Sequence, residues 1–359
     1  MRRPGSFSPK SSSLIGNMMN LVGMSLEEME EFIRGLGKER YRARQLFRWV
    51  YKKGASDFEV MTDLSKPFRD ELSRIARIGS IREVRRLTSR DGSATKFLLE
   101  LEDGERVESV LIRDEDRRTV CLSCQVGCPL GCKFCATGKM GFKRNLTAGE
   151  ILEQLLHIRR VLWGEGEEVT NAVFMGMGEP LLNYGEVMKA VRLIRHEMGI
   201  GLGARRITLS TAGIVPGMER LSEEGVPIGL AISLNATDDA TRTELMPINS
   251  RYPMKVLLKA AKDFSRRYKR RITFEYVLIY GVNDSPEHAR KLAEILKGIP
   301  CKVNLIPYNP IPDAPFERPP DERVLKFQEV LLSRNYTATL RDSKGRDIQA
   351  ACGQLRASA

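Results

Sequence analysis

The chain has 359 residues, enough for one barrel-sized core domain and one small accessory domain. Its 58 Lys and Arg residues against 46 Asp and Glu residues give a formal net charge of +12, which favours a polyanionic partner such as nucleic acid. No apolar run approaches the length of a membrane span and no signal-peptide core is present, so we expect a cytoplasmic protein with no membrane partner.

The N-terminal part of the chain is predicted to be a tail followed by helices. Residues 1–18 are rich in Ser, Gly and Pro, so we expect a flexible tail. Within residues 19–79, a capping box begins a first helix at Ser25, and later periodicity predicts helices at 41–51 and 66–78. Basic side chains on the second helix favour an RNA-binding accessory domain, although a solvated basic face fits the pattern equally well.

Residues 80–115 alternate with a period of two, which indicates strands. Asp91-Gly92 and Asp103-Gly104 are strong hairpin signals between apolar runs. These residues are therefore predicted to form a three-stranded antiparallel connector. Glu108 lies on its last strand.

From residue 116 to 342, strands and helices alternate, which predicts parallel strands with helical crossovers. We expect an α/β fold, a partial (β/α)6 barrel that follows the N-terminal helical domain and the antiparallel connector. After the first strand, the predicted strands are 171–175, 206–211, 228–234, 272–279 and 302–306. A final helix (321–332) and strand (336–340) precede residues 343–359, a C-terminal loop that carries Cys352.

Five of the seven cysteines lie in one stretch, residues 121–135. Cys128, Cys132 and Cys135 have the spacing C-x3-C-x2-C, with which one short loop brings three thiolates to a cubane 4Fe-4S cluster. Three ligands leave one iron open for a substrate or cofactor. A zinc knuckle is the alternative, but its ligand pairs are usually set a dozen or more residues apart.

Other unusual residues follow the predicted strands, where parallel barrels gather their chemistry. Glycines in the Gly-x-Gly turn after the second strand allow close approach to a ligand, and the glutamate that follows is able to accept from an ammonium group. The candidates of this kind are Gly178, Glu179, Ser210, Ser233, Leu234, Asn235 and Asn309.

The cysteine stretch resembles that of radical S-adenosylmethionine (SAM) enzymes, and the whole chain after the tail resembles the radical SAM RNA methyltransferases that methylate carbon 2 of adenine. The resemblance implies that SAM chelates the open iron and contacts the candidates just named. Some relatives carry His at the position of Asn235 and Ser at that of Cys124. The matching segments are 107–108, 121–138, 174–183, 208–211, 232–236, 304–310 and 350–355.

The resemblance also implies a reaction with two SAM molecules per turnover and one cluster per chain. Cys352 would first take a methyl group from one SAM as a thiolate. A 5′-deoxyadenosyl radical from the second SAM would then activate that methyl group for addition to the adenine ring. Glu108 would accept the ring proton, and Cys121 would release the product by forming a disulfide with Cys352.

We therefore expect 23S ribosomal RNA and the anticodon loop of transfer RNA as substrates, a small reductase or flavodoxin-type electron donor, and a monomer. One alternative is the sister enzyme class that methylates carbon 8 of the same adenosine and confers antibiotic resistance. Another is a non-enzymatic iron–sulfur RNA-binding protein, which would explain the charge but not the cysteine pair. Cys124 and Cys301 are assigned no role.

Overall fold

The structure is a computed structural model that describes residues 18–341 and 343–357. Almost all of the predicted tail, residues 1–17, lies outside the described residues. No helix in the described ranges has both the length and the apolar character needed to cross a membrane.

The N-terminal unit contains three α-helices and a small pair of strands. Its elements are β1 (Met19–Asn20), α1 (Leu26–Gly35), α2 (Tyr41–Phe47), α3 (Lys66–Ile75) and β2 (Ala76–Arg77). The capping box is present, because the Ser25 hydroxyl accepts from the Glu28 amide and the Glu28 carboxylate accepts from the Ser25 amide.

Two predicted helices in this unit differ from the structure at their C-terminal ends. The second ends in a π-helical turn, Arg48–Lys52, rather than continuing as an α-helix. The third stops at Ile75, because the residues of β2 pair in parallel with β1 instead of extending the helix. This pairing joins residues far apart in the chain, so local periodicity gave no sign of it.

The connector strands are β3 (Arg82–Thr88), β4 (Ala94–Glu100) and β5 (Arg106–Asp114), paired antiparallel as predicted. Their sheet does not stop at the connector. β5 pairs antiparallel with β6 (Arg117–Cys121), so the three strands extend the sheet that carries the cysteine stretch.

The remaining elements alternate between strand and helix. In chain order they are β7 (Gln125–Gly127), α4 (Ala136–Lys139), β8 (Phe142–Asn145), α5 (Ala148–Gly164), β9 (Asn171–Phe174), α6 (Tyr184–Arg195), β10 (Ile207–Thr211), α7 (Val215–Glu223), β11 (Gly229–Ser233), α8 (Asp239–Leu245), α9 (Met254–Tyr268), β12 (Ile272–Leu278), α10 (Pro286–Ile295), β13 (Cys301–Pro307), α11 (Asp321–Leu332) and β14 (Ala338–Leu340). The short helix α8 was not predicted, and neither was the β7–β8 pair.

The main sheet is ordered β14-β13-β12-β11-β10-β9-β6-β5-β4-β3. From β6 to β14 neighbouring strands are parallel, which confirms the predicted α/β class with a partial barrel. Parallel pairing brings the carboxyl ends of these strands to one edge, where the cysteine stretch follows β6. The N-terminal unit docks on the outside of this sheet through α5, whose Arg159 donates to the carbonyl oxygen of Tyr51 at 2.7 Å.

Candidate active site

The cysteine loop is held by the β7–β8 pair. Cys128 follows β7, and its amide donates to the carbonyl oxygen of Gly141 at 2.8 Å. Gly127 has a φ of +75°, and a Cβ there would lie 1.8 Å from the same Gly141 oxygen. Only glycine therefore allows residue 127 to approach the Gly141 carbonyl oxygen so closely. This contact fixes the point at which the cysteine loop leaves the β7–β8 pair.

The three predicted cluster ligands line one cavity. Cys132 and Cys135 are joined by a backbone hydrogen bond of 3.1 Å, and Cys135 caps the short helix α4. All three are free thiols. Their cavity also includes the predicted residues Gly178, Glu179, Ser210, Ser233, Asn235 and Asn309.

Leu234 is the one predicted cofactor contact outside that lining. Its side chain is fully buried, and its amide donates to the carbonyl oxygen of Glu275 at 3.0 Å. Its own carbonyl oxygen accepts from the guanidinium of Arg242 at 3.1 Å. Leu234 therefore contributes to the site through the path of its backbone rather than through its side chain.

Glu179 is held by backbone donors. Its two carboxylate oxygens accept from the amides of Leu181 at 3.1 Å and Ala212 at 2.7 Å. Burial raises the pKa of this carboxyl to about 7, against the opposing effect of those hydrogen bonds. The preceding Gly178 has a φ of +101°, and a Cβ there would lie 2.6 Å from the Cβ of Gln125, so this turn also requires glycine.

The side chains of Asn235 and Asn309 have different hydrogen-bond partners. The Asn235 side chain accepts from the amide of Val277 at 2.8 Å, and the residue has a φ of +60°, which Asn tolerates better than most residues. The Asn309 amide donates to the hydroxyl of Ser343 and to the carbonyl oxygen of Cys352, at 3.0 and 3.2 Å. Asn309 therefore links the barrel edge to the C-terminal segment.

Cys352 lies where two cavities meet. It lines the cavity of the three cluster cysteines and also a second cavity, which Cys121 and Cys135 line as well. Burial raises the pKa of the Cys121 thiol to about 12, and the nearby Cys352 adds to that rise. The structure thus brings together the two cysteines that are distant in sequence.

The C-terminal segment is fixed in this position by backbone contacts to the cysteine loop. The Gly353 carbonyl oxygen accepts from the amide of Ala136 at 2.7 Å, and the Leu355 carbonyl oxygen accepts from the hydroxyl of Thr137 at 2.6 Å. These contacts join the segment to α4, directly after Cys135, the last of the three predicted cluster ligands.

Glu108 is not among the described residues that line either of these cavities. It is 2% exposed and forms an ion pair of 2.9 Å with Lys96 on the neighbouring strand. Its other carboxylate oxygen accepts from the Arg356 amide at 2.9 Å. The backbone of the C-terminal segment therefore contacts the Glu108 carboxylate directly.

Sequence reasoning missed three polar residues inside the barrel, namely Glu275, Asn304 and Arg341. Glu275 and Arg341 line the cluster cavity, and Asn304 and Arg341 line the second cavity. Glu275 is the one charged residue of the strand Ile272–Leu278, and a charge in such a buried strand was the available signal.

The cavity suits an iron–sulfur cluster and SAM in its donor chemistry. Burial raises the pKa of all three thiols, so a bound cation would be needed to hold them as thiolates. In the described part of the chain, no three His, Cys, Asp or Glu side chains converge on one ion. A cubane takes each thiolate at a separate iron, so its ligands do not have to converge in that way.

Two family models match separate parts of the chain. The model described as the ribosomal RNA large subunit methyltransferase N-terminal domain matches residues 19–78. The model described as the radical SAM superfamily matches residues 122–293.

Named relatives match nearly the whole length. The dual-specificity RNA methyltransferase RlmN of Syntrophus aciditrophicus is 49% identical, covering 96% of this chain and 98% of its own. The RlmN of Geobacter sulfurreducens is 47% identical, with 94% and 92% covered. The crystal structure of a radical SAM methyltransferase from Sphaerobacter thermophilus superposes with a TM-score of 0.92 at 48% identity, covering 95% of this chain and all of that one.

Proposed function

The chain belongs to the RlmN family of dual-specificity RNA methyltransferases, which are radical SAM enzymes, and we propose that it methylates carbon 2 of adenosine. Its proposed substrates are the peptidyl-transferase loop of 23S ribosomal RNA and the nucleotide 3′ of the anticodon in transfer RNA. Side chains reach unpaired bases in such loops, and the target base would leave its stack to enter the barrel mouth.

The observation that carries this proposal is the shared cavity of Cys121, Cys135 and Cys352. Carbon 2 of adenine is electron-poor, so it does not take a methyl group by ordinary displacement. A protein thiol that carries the methyl group solves this problem, provided that it lies beside the cluster. Cys352 meets that condition, since it lines the cavity of all three cluster cysteines.

Cys128, Cys132 and Cys135 would hold one 4Fe-4S cluster, and Glu179, Ser210, Ser233, Asn235 and Asn309 would surround SAM. With both bound, the site gains an electron source and a methyl donor, with two SAM molecules used per turnover. Gly178 would leave room for SAM. Leu234 would act through its backbone, which positions the adjacent Ser233 and Asn235.

Two cysteines and one carboxylate have proposed roles in the reaction. Cys352 accepts the methyl group at sulfur. Once that group has lost one hydrogen atom to the adenosyl radical that SAM would supply, its carbon bonds to carbon 2 of the base, which ties the RNA covalently to Cys352. Glu108 takes the proton that the ring loses. Cys121 then attacks the sulfur of Cys352, which releases the methylated RNA and leaves a disulfide that an external reductant restores to two thiols.

For Glu108 to act as the base, the C-terminal segment has to move. In the described conformation the carboxylate is paired with Lys96 and covered by the backbone of Arg356. Withdrawal of that segment would uncover Glu108 and at the same time free Cys352 from its contact with Asn309. The same movement would thus prepare both groups for the RNA.

The test is the modified-nucleoside profile of RNA treated with the reconstituted protein, SAM and a reductant under anaerobic conditions. We expect 2-methyladenosine in both RNA classes, identified against position-resolved standards by mass spectrometry. A product that consists only of 8-methyladenosine would replace our assignment with that of the carbon 8 enzymes.

Variants test the carrier roles separately. Cys352→Ala should abolish methylation, because no thiol remains to accept the methyl group. Cys121→Ala should trap the RNA on Cys352, visible as a covalent complex on a denaturing gel. Cys301→Ala is the matched control, since Cys301 is buried at the start of β13 and lines neither cavity among the described residues. Methylation by Cys352→Ala at the wild-type rate would refute the proposal that Cys352 carries the methyl group.

We further propose that the protein works as a cytoplasmic monomer supplied with electrons by a small reductase or flavodoxin-type protein. The N-terminal unit would contribute to RNA binding through its basic residues. Residues such as Lys53, which lies 3.4 Å over the ring of Trp49, offer both charge and a stacking surface.

A further inference from the structure

Glu275 is a buried carboxylate with one oxygen left unsatisfied. It lies in the middle of β12 and is 5% exposed. One carboxylate oxygen accepts from the Asn304 side-chain amide at 3.0 Å. The other has no hydrogen-bond partner among the residues that the structure describes, although the side chain lines the cluster cavity. A buried acceptor of this kind is costly unless a ligand completes it.

Arg341 follows β14 and faces the same space. Its guanidinium lies 3.7 Å from the sulfur of Met175, and it forms no ion pair with a carboxylate within the described ranges. Cys352, Glu275 and Cys121 are near enough to act on its charge and raise its pKa. Arg341 lines both cavities that Cys352 lines.

A carboxylate and a guanidinium therefore face one cavity without touching each other. Glu275 is buried and Arg341 is half-buried, and a charge withdrawn from water in this way is costly unless hydrogen bonds complete it. A ligand that presents a donor beside an acceptor would do so, with its donor toward Glu275 and its acceptor toward Arg341. The Watson–Crick edge of adenine has this pattern, because the N6 amine donates and the adjacent N1 accepts.

We propose that Glu275 and Arg341 form a base-recognition subsite, in which Glu275 accepts from the N6 amine of the target adenine and Arg341 donates to N1. This inference rests on the proposed function and names how its substrate base is selected. N1 and carbon 2 are neighbouring ring atoms. Because the Cys352 thiol has to approach carbon 2, a residue that donates to N1 has to lie close to that thiol. Arg341 satisfies that requirement through its proximity to Cys352.

The subsite would reject the other purines. Guanine and hypoxanthine present a carbonyl oxygen where adenine has its amine, and a carboxylate repels that oxygen. They also carry a hydrogen on N1, which faces the guanidinium donor. Selection by an unmatched buried polar group is strong, because the group is desolvated without a partner.

The experiment measures RNA binding rather than turnover, with the cluster-loaded protein and no SAM. Hairpin RNAs carry adenosine, inosine or 1-deazaadenosine at the target position, and affinity is followed by fluorescence anisotropy. The wild type should bind the 1-deazaadenosine hairpin about tenfold more weakly than the adenosine hairpin, the effect of one lost buried hydrogen bond. It should bind the inosine hairpin more weakly still, because inosine mismatches both side chains.

Each variant should lose the discrimination that its own side chain provides. Glu275→Gln is able to donate to the inosine oxygen, so only the mismatch at N1 remains and its preference for adenosine over inosine should fall to about tenfold. Arg341→Met should bind adenosine and 1-deazaadenosine equally. Glu329→Gln and Arg334→Met, both exposed on or beside α11, are the matched controls and should discriminate like the wild type.

Equal discrimination by wild type and Glu275→Gln would overturn the inference, as would a wild type that binds all three hairpins alike. A loss of SAM affinity in Glu275→Gln with unchanged base discrimination would also overturn it, because the pair would then serve the cofactor. These results are independent of the proposed function, which fails instead if the wild type makes no 2-methyladenosine.

Discussion

Replacement of Gly127 by alanine should damage the cluster site while leaving the fold intact. The residue has a φ of +75°, which costs an L-residue about 1–2 kcal/mol. The new Cβ would also lie 1.8 Å from the Gly141 carbonyl oxygen, which is backbone and cannot rotate away. Separation of β7 from β8 relieves that clash, and overpacking of this kind costs about 1–3 kcal/mol.

The functional consequence follows from the position of Cys128. Its amide donates to the same Gly141 oxygen, so movement of Gly141 displaces the first of the three proposed cluster ligands. The matched control is Gly92→Ala, because Gly92 has a similar φ of +69° but no atom within 4 Å of the added Cβ. Gly92→Ala should therefore carry only the conformational cost.

The assay is the iron and acid-labile sulfide content after anaerobic reconstitution, together with the melting temperature. We expect Gly92→Ala to bind a full complement of iron with slightly reduced stability, and Gly127→Ala to bind substantially less iron. Equal iron content and equal melting temperature in the two variants would refute the argument that this close approach positions Cys128.

Two further predictions concern buried groups. Lys96→Met should destabilise the protein by about 3–5 kcal/mol, because Glu108 loses its buried counter-charge. Lys96→Met combined with Glu108→Leu should recover most of that loss. Melting temperatures of the two variants test this, and a Lys96→Met protein as stable as the wild type would contradict it. The second concerns pH. Because burial raises the pKa of Cys121 to about 12, the folded state holds this proton more tightly than the unfolded chain, so its contribution to stability is present below pH 9 and is lost between about pH 9 and 12. The wild type should therefore lose more thermal stability than Cys121→Ala when the pH is raised from 8 to 10, and parallel losses would argue against the buried neutral thiol.

Local signals in the sequence predicted most of the elements correctly. The capping box at Ser25 begins α1, and the Asp-Gly pairs mark the two hairpins of the connector. Such signals depend on neighbouring residues alone, so they are readable without the fold. The short helix α8 escaped detection because seven residues give too little periodicity.

Parts of the site that join distant segments could not be read in the same way. Nothing near Glu108 in the sequence indicates that Lys96 pairs with it or that the Arg356 backbone covers it. Likewise, the only local signal for Glu275 was a single charge in its strand, and its relation to Arg341 depends on the order of β12, β13 and β14 in the sheet.

The amino-acid sequence by itself determined the alternation of strands and helices, and it collected three cysteines in one loop after the first parallel strand. Those features are local, since spacing, caps and turns act over a few residues. The tertiary structure alone decided that the C-terminal segment returns across the barrel mouth, so that Cys352 shares a cavity with Cys121 and the cluster cysteines. That return is fixed by hydrogen bonds from the Ala136 amide and the Thr137 hydroxyl of α4 to backbone carbonyl oxygens more than two hundred positions away in the chain.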